Sequence, residues 1–173
     1  MVIGKPFLTV EQIQNRVREL ASKISDDFSG KEIVAVGILR GAFMFFPDIV
    51  RHINVPMKID FLIASSYVKS QTTGKIAIFA DIREDIKGKN VILFEDIVDT
   101  GLTLKYIYDM LLSREPASLK ICTFLDKKAR RKVDLNIDYI GFDIPDHYVV
   151  GYGLDFEGRF RNLPYISIFK ERI

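Results

Sequence analysis

The residues best suited to chemistry fall in one stretch, Val91-Ile-Leu-Phe-Glu-Asp-Ile-Val-Asp-Thr-Gly-Leu-Thr-Leu104. Residues 91–94 read as a short buried strand. Glu95 and Asp96 are expected where it ends, at the carboxyl edge of a sheet, where open α/β folds place their ligands. Asp99-Thr100-Gly101-Leu102-Thr103 then opens a helix. Such a start offers unpaired N–H groups, hydroxyls and the positive end of the helix dipole, and Gly101 allows close approach to the backbone. A phosphate fits that cradle, and acid pairs beside it suit a sugar phosphate with Mg2+. The plainer reading makes Asp99 or Thr100 a helix cap and leaves Glu95 and Asp96 as solvated turn residues.

Positioning these groups requires a sheet and its covering helices. Val10, Ile13, Val17, Leu20, Ile24 and Phe28 recur at helical steps, which predicts one amphipathic helix over residues 9–28, opened by a Thr9/Gln12 capping box. The unbroken β-branched run at 33–39 predicts a strand covered on both faces, hence a parallel sheet. A helix is expected over 42–53, with Pro47 better suited to a first turn than to a middle. Strands are expected at 57–64, 75–80 and 119–125, a mobile polar loop at 65–74, and a helix at 102–114 that Pro116 prevents from continuing. This alternation favours an α/β fold. Residues 137–173 read as short strands and loops around a site.

Composition bounds the function. The chain has 173 residues, 48% hydrophobic and 28% charged, as expected of a single domain, 1–173, with a sizeable core. Twenty-five Lys and Arg against 23 Asp and Glu leave +2, too little to draw a nucleic acid or a membrane by bulk charge. The single cysteine, Cys122, makes no internal disulfide, and no basic segment followed by an apolar core opens the chain, so a cytoplasmic location is expected. The apolar runs are far shorter than the ~20 residues of a membrane helix. Zinc, serine-nucleophile and the commonest nucleotide-loop signatures do not occur.

Taken whole, residues 91–104 resemble the phosphoribosyl pyrophosphate motif of the type I phosphoribosyltransferases. Gly37-Ile-Leu-Arg-Gly-Ala-Phe-Met-Phe-Phe46, Ser65-Ser-Tyr67, Phe124-Leu-Asp-Lys127 and Asp143-Ile-Pro-Asp-His-Tyr-Val-Val-Gly-Tyr-Gly-Leu-Asp155 are similar, in order, to the hypoxanthine-guanine branch of that family. The resemblance implies a central, mostly parallel sheet flanked by helices, with a small hood over the site. It also implies purine salvage: Mg2+-dependent transfer of the 5-phosphoribosyl group to hypoxanthine and guanine, with pyrophosphate released.

By this resemblance, Glu95 and Asp96 hold the ribose hydroxyls with Mg2+, and Asp99 is the general base toward the purine. Thr100, Gly101, Leu102 and Thr103 bind the 5′-phosphate. Leu39, Arg40 and Gly41 receive the pyrophosphate through a non-proline cis peptide, with Arg40 where many relatives have Lys, and Arg161 meets the same group. Lys127 donates to the purine 6-oxo group, which would reject adenine. Tyr148 stacks on the base, the Val149 backbone touches its edge, and Asp155 binds a second Mg2+. Ser66 and Tyr67 belong to a lid.

Without the resemblance, Tyr148 and Val149 would read as core, Asp155 and Arg161 as loop and surface charges. Lys128 to Lys132 are left as surface. Relatives are dimers or tetramers, so a homo-oligomer is expected. Two rival readings stand beside the enzyme: a non-catalytic nucleotide sensor using the basic run 127–132 against nucleic acid, and a phosphoribosyltransferase for xanthine.

Overall fold

The structure, a computed structural model, describes residues 2–66 and 76–170. Six strands form the main sheet: β2 (Ile33–Leu39), β3 (Met57–Ser66), β4 (Ile76–Ala80), β5 (Asn90–Val98), β6 (Ser118–Asp126) and β7 (Tyr139–Asp143). Their order is β4-β3-β2-β5-β6-β7. All neighbours run parallel except β4, which is antiparallel to β3. The mostly parallel α/β sheet is as expected.

Both faces are covered, as the apolar run of β2 requires. Ile33 and Ala35 join one core cluster, Val34, Val36 and Ile38 the other. The first cluster takes α1 (Val10–Asp27), which buries Ile13, Val17, Leu20, Ala21 and Ile24. Each large apolar side chain of that stripe contributes roughly 1.5–3 kcal/mol when buried. The Thr9 and Gln12 side chains each bond the other's backbone N–H, which fixes the start of α1. The second cluster takes α3 (Leu102–Leu112) through Leu104, Ile107 and Leu111.

Three expectations need correction. The helix expected over 42–53 divides into a 3-10 turn, Gly41–Phe43, and a short helix, α2 (Phe45–Val50). Pro47 thereby falls in the first turn of α2, where no intrahelical donor is required. Strand β5 does not end at Phe94 but continues through Glu95 and Asp96 to Val98. Its pairing with β2 stops at Gly37 and Phe94, whereas β6 continues alongside it, pairing Glu95 with Thr123 and Ile97 with Leu125. The two carboxylates therefore lie where β5 loses one neighbour and keeps the other. Strand β3 likewise runs on to Ser66. Tyr67 and the rest of the expected lid, to residue 74, lie outside the described residues, as does residue 75.

A second, antiparallel sheet forms the hood: β1 (Val2–Leu8), β9 (Ile166–Lys170) and β8 (Val149–Val150), in the order β1-β9-β8. The Tyr152 hydroxyl donates to Asp48 Oδ2 of α2 at 2.7 Å, and its ring packs on Phe124 of β6 at 5.1 Å. These contacts moor the hood above the carboxyl edge of the main sheet.

Candidate active site

The floor of the site is made where β2 turns away from β5. The peptide joining Leu39 to Arg40 is cis. Gly41 follows with its Cα pressed against Asp96: an added Cβ would stand 1.8 Å from Asp96 Oδ2. The adjoining cleft is lined by Leu39, Arg40, Gly41, Glu95, Asp96, Thr103, Asp155 and Arg161. Asp96 Oδ1 accepts from Ile97 N at 2.9 Å, and Glu95 Oε1 from Asp96 N at 3.2 Å. Both carboxyls open on the cleft but are hemmed in by protein. That loss of water, then the charge of Asp96, raises the Glu95 pKa well above its ordinary value. Loss of water also raises that of Asp96, against hydrogen bonds and the charge of Arg161, which lower it.

The helix cradle adjoins this cleft. Gly101 sits at φ +80 as the N-cap of α3, a left-handed conformation costly for a residue with a Cβ. No side chain caps the helix there. Leu102 N lies 3.5 Å from Thr100 Oγ1, at the outer limit of a hydrogen bond. The hollow over this first turn is lined by Glu95, Asp99, Thr100, Gly101 and Thr103, so donors and hydroxyls face a single space at the positive end of a helix.

A third hollow, under the hood, brings together Asp96, Asp99, Lys127, Arg130, Tyr148, Val149 and Asp155. Lys127 is only 5% exposed. Its N–H donates to Val98 O at 2.9 Å, tying it to the end of β5. Tyr148 is not core: the residue is 53% exposed, and its hydroxyl donates to Asp155 O at 2.9 Å. Val149 is buried, and Phe169 N donates to Tyr148 O at 2.8 Å, so the backbone beside the ring is held by β9. Asp155 Oδ1 meets Arg161 Nη2 at 2.6 Å, and its Oδ2 accepts from Gly158 N at 2.7 Å. Arg161 Nη1 also donates to Gly153 O at 2.7 Å.

Asp99 has a distinctive setting: its Oδ1 is buried without a hydrogen bond, although Arg130 Nε faces it at 3.0 Å. The reading of residues 128–132 as surface holds for Arg130, which is exposed yet also faces Asp99, and is corrected at Arg131. A 3-10 turn, Lys128–Arg130, follows Lys127. Side chains three apart eclipse in that geometry, which returns Arg130 to the side of Lys127. Arg131 pairs with Asp126, which is 1% exposed, and its Cδ would lie 2.8 Å from a Cβ at Gly101. A run of five basic or small residues gave no sign of either role.

Among the described residues, no three His, Cys, Asp or Glu side chains converge as a metal cage. Mg2+ needs less, since it takes one or two carboxylates and completes its shell with water and substrate phosphates. Glu95 and Asp96, adjacent and each with raised proton affinity, fit such an ion.

The phosphoribosyl transferase domain model matches residues 9–157. The chain belongs to the phosphoribosyltransferase family. A hypoxanthine phosphoribosyltransferase of Salmonella typhimurium is 48% identical over 159 residues, 90% of this chain and 89% of its own length. A hypoxanthine-guanine phosphoribosyltransferase of Bacillus subtilis is 39% identical over 172 residues, 99% of this chain and 96% of its own. The crystal structure of a hypoxanthine-guanine phosphoribosyltransferase from Bacillus anthracis, with HEPES in its active site, superposes with a TM-score of 0.93 at 48% identity. It covers 98% of this chain and 100% of that one. The phosphoribosyltransferase fold, with its central sheet and second small sheet, is thus common to this chain and its relatives.

Proposed function

We propose that this phosphoribosyltransferase transfers the 5-phosphoribosyl group of phosphoribosyl pyrophosphate to hypoxanthine, and to guanine, and releases pyrophosphate. One observation carries the reading. The buried Lys127 ammonium and the buried, unbonded Asp99 oxygen share a hollow with the exposed Tyr148 ring, beside a helix N-terminus suited to phosphate.

A purine stacked on Tyr148 would present its 6-oxo group to Lys127 and its imidazole to Asp99. The cradle of Thr100, Gly101, Leu102 and Thr103 would hold the 5′-phosphate, and Glu95 and Asp96 the ribose hydroxyls. Leu39, Arg40 and Gly41, with Arg161, would receive the pyrophosphate. The bond from ribose C1 to pyrophosphate breaks, a bond from C1 to the purine nitrogen forms, and the imidazole proton passes to Asp99. Arg40 and Arg161 stabilise the charge growing on the leaving group. Mg2+, held by Glu95 and Asp96, would neutralise part of the pyrophosphate charge. Asp155 would join a second ion by releasing Arg161, freeing that guanidinium for pyrophosphate.

A non-catalytic sensor is not favoured, because it has no need of an acceptor and a donor poised at one base edge. Association into a homo-dimer or homo-tetramer belongs to the proposal. Exposed Ile59 and Phe61 on β3 and Phe79 on β4 give apolar surface for it, and sedimentation velocity reads the state. No described helix is long and apolar enough to cross a membrane.

The testing experiment follows absorbance during turnover of hypoxanthine, guanine, xanthine and adenine with phosphoribosyl pyrophosphate, with Mg2+ and with EDTA. Hypoxanthine and guanine should react, adenine negligibly, and EDTA should abolish turnover. Adenine as the best substrate would overturn the role of Lys127, whose ammonium has only hydrogens to offer a 6-amino group. Preferred turnover of xanthine would select the rival base.

A further inference from the structure

The purine-facing groups Asp99 and Lys127 are opposite charges in one hollow, yet no ion pair joins them. Each has its own counter-ion instead. Arg130 Nε lies 3.0 Å from Asp99 Oδ1, and Asp146 Oδ1 lies 3.9 Å from Lys127 Nζ. Arg130 Nη1 and Asp146 Oδ1, 3.5 Å apart, close the set. Four charges therefore alternate in sign along a chain from Asp99 through Arg130 and Asp146 to Lys127, whose two ends face the hollow where the imidazole and 6-oxo edge of a purine would lie.

We propose that Arg130 and Asp146 are positioning residues for the base: they hold Asp99 and Lys127 apart, so that an acceptor and a donor stand ready for the two neighbouring atoms of a 6-oxopurine edge. The proposal rests on the function put forward above and adds residues that this function does not need by itself. Its physical basis is simple. An acid and an ammonium freed of other partners, in a hollow where the ammonium is buried, attract each other more strongly than they would in open water. If they met, they would cover the groups that have to bind substrate. An outer partner of opposite sign for each removes that incentive and fixes its orientation, as a supporting shell does for any preorganised site. The geometry also explains the side chains chosen. The planar, forked guanidinium of Arg130 reaches two carboxylates at once, whereas a lysine there would present one point charge.

Arg130 and Asp146 are 46% and 54% exposed, so their ion pair adds little to folding, and loss of either should act on base recognition instead. Arg130→Ala and Asp146→Asn should each raise KM for hypoxanthine by roughly 10–100-fold, the cost of a misplaced binding group. The dissociation constant for phosphoribosyl pyrophosphate should stay within threefold and the melting temperature should hardly move. Because both residues act through one network, the double variant should be little worse than either single one. Arg130→Lys should recover part of the loss.

The experiment measures steady-state KM and kcat for hypoxanthine, calorimetric binding of phosphoribosyl pyrophosphate, and melting curves, for the wild type and these four variants. A wild type active on hypoxanthine beside an Arg130→Ala variant with unchanged KM would overturn the positioning role alone. A fall in melting temperature with equal losses for both substrates would make Arg130 merely structural, again against the proposal. A wild type that neither binds nor turns over any 6-oxopurine would overturn the function, and the positioning role with it.

Discussion

Replacing Gly41 by alanine probes the floor of the site directly. The new Cβ would stand 1.8 Å from Asp96 Oδ2 and 2.7 Å from Oδ1. Ordinary contact begins at 3.4 Å, so the nearer oxygen would have to retreat by 1.6 Å (3.4 − 1.8). It cannot do so freely, because Asp96 Oδ1 is held by Ile97 N at 2.9 Å and the neighbouring Glu95 by Asp96 N at 3.2 Å. Gly41 is not in the left-handed region, so the backbone itself tolerates alanine and the damage is confined to the carboxylate. Displacing a substrate-holding group by about an ångström costs on the order of 10²-fold. The variant should therefore lose about that factor in kcat/KM for phosphoribosyl pyrophosphate. Initial rates at saturating hypoxanthine, calorimetric binding and a melting curve together separate this from unfolding. Activity within threefold of wild type, with unaltered binding, would refute the placement of Asp96 as a requirement of the reaction.

The raised pKa of Glu95 carries a pH signature. A group held above its ordinary value, here 4.5, binds protons better in the folded state, so the stability it contributes is full below that pH and is lost as pH rises. Without divalent cations, Glu95→Gln should gain melting temperature relative to the wild type as pH rises from 4.5 toward neutrality; a difference that does not change with pH would contradict it. Arg131→Ala should cost roughly 3–5 kcal/mol in urea unfolding, because it strips the buried Asp126 of its ion partner. Pairing it with Asp126→Asn should restore much of the loss, and a single variant as stable as wild type would count against the pairing.

The elements most legible in the sequence were those set by local periodicity. Helix α1 follows from apolar steps of three and four with a capping box, and β2 from an apolar run whose alternate residues enter two different core clusters. The helix cradle was legible because Asp-Thr-Gly fixes a turn and a helix start together. What failed depends on non-local pairing or backbone detail. The end of β5 was misplaced because Glu95 and Asp96 are polar, and only continued pairing with β6 keeps them in the strand. Strand β1 was not foreseen: Gly4 and Pro6 interrupt its pattern, and its partner β9 lies at the other end of the chain. Arg130 and Arg131 looked like solvated charge, since a basic run carries no trace of the 3-10 turn that sends one toward Asp99 and the other toward Asp126.

The central claim is the division of labour between Asp99, as acceptor of the purine proton, and Glu95 with Asp96, as holders of the ribose. Asp99→Asn keeps the shape of the side chain but cannot take that proton. Single-turnover rates beside calorimetric titration of phosphoribosyl pyrophosphate test the division most directly. The account predicts that Asp99→Asn lowers the rate on the bound complex by roughly 10²–10⁴-fold while binding stays within a few-fold, and that Glu95→Gln with Asp96→Asn weakens binding instead. Loss of phosphoribosyl pyrophosphate binding in Asp99→Asn, with unchanged chemistry once bound, would contradict it.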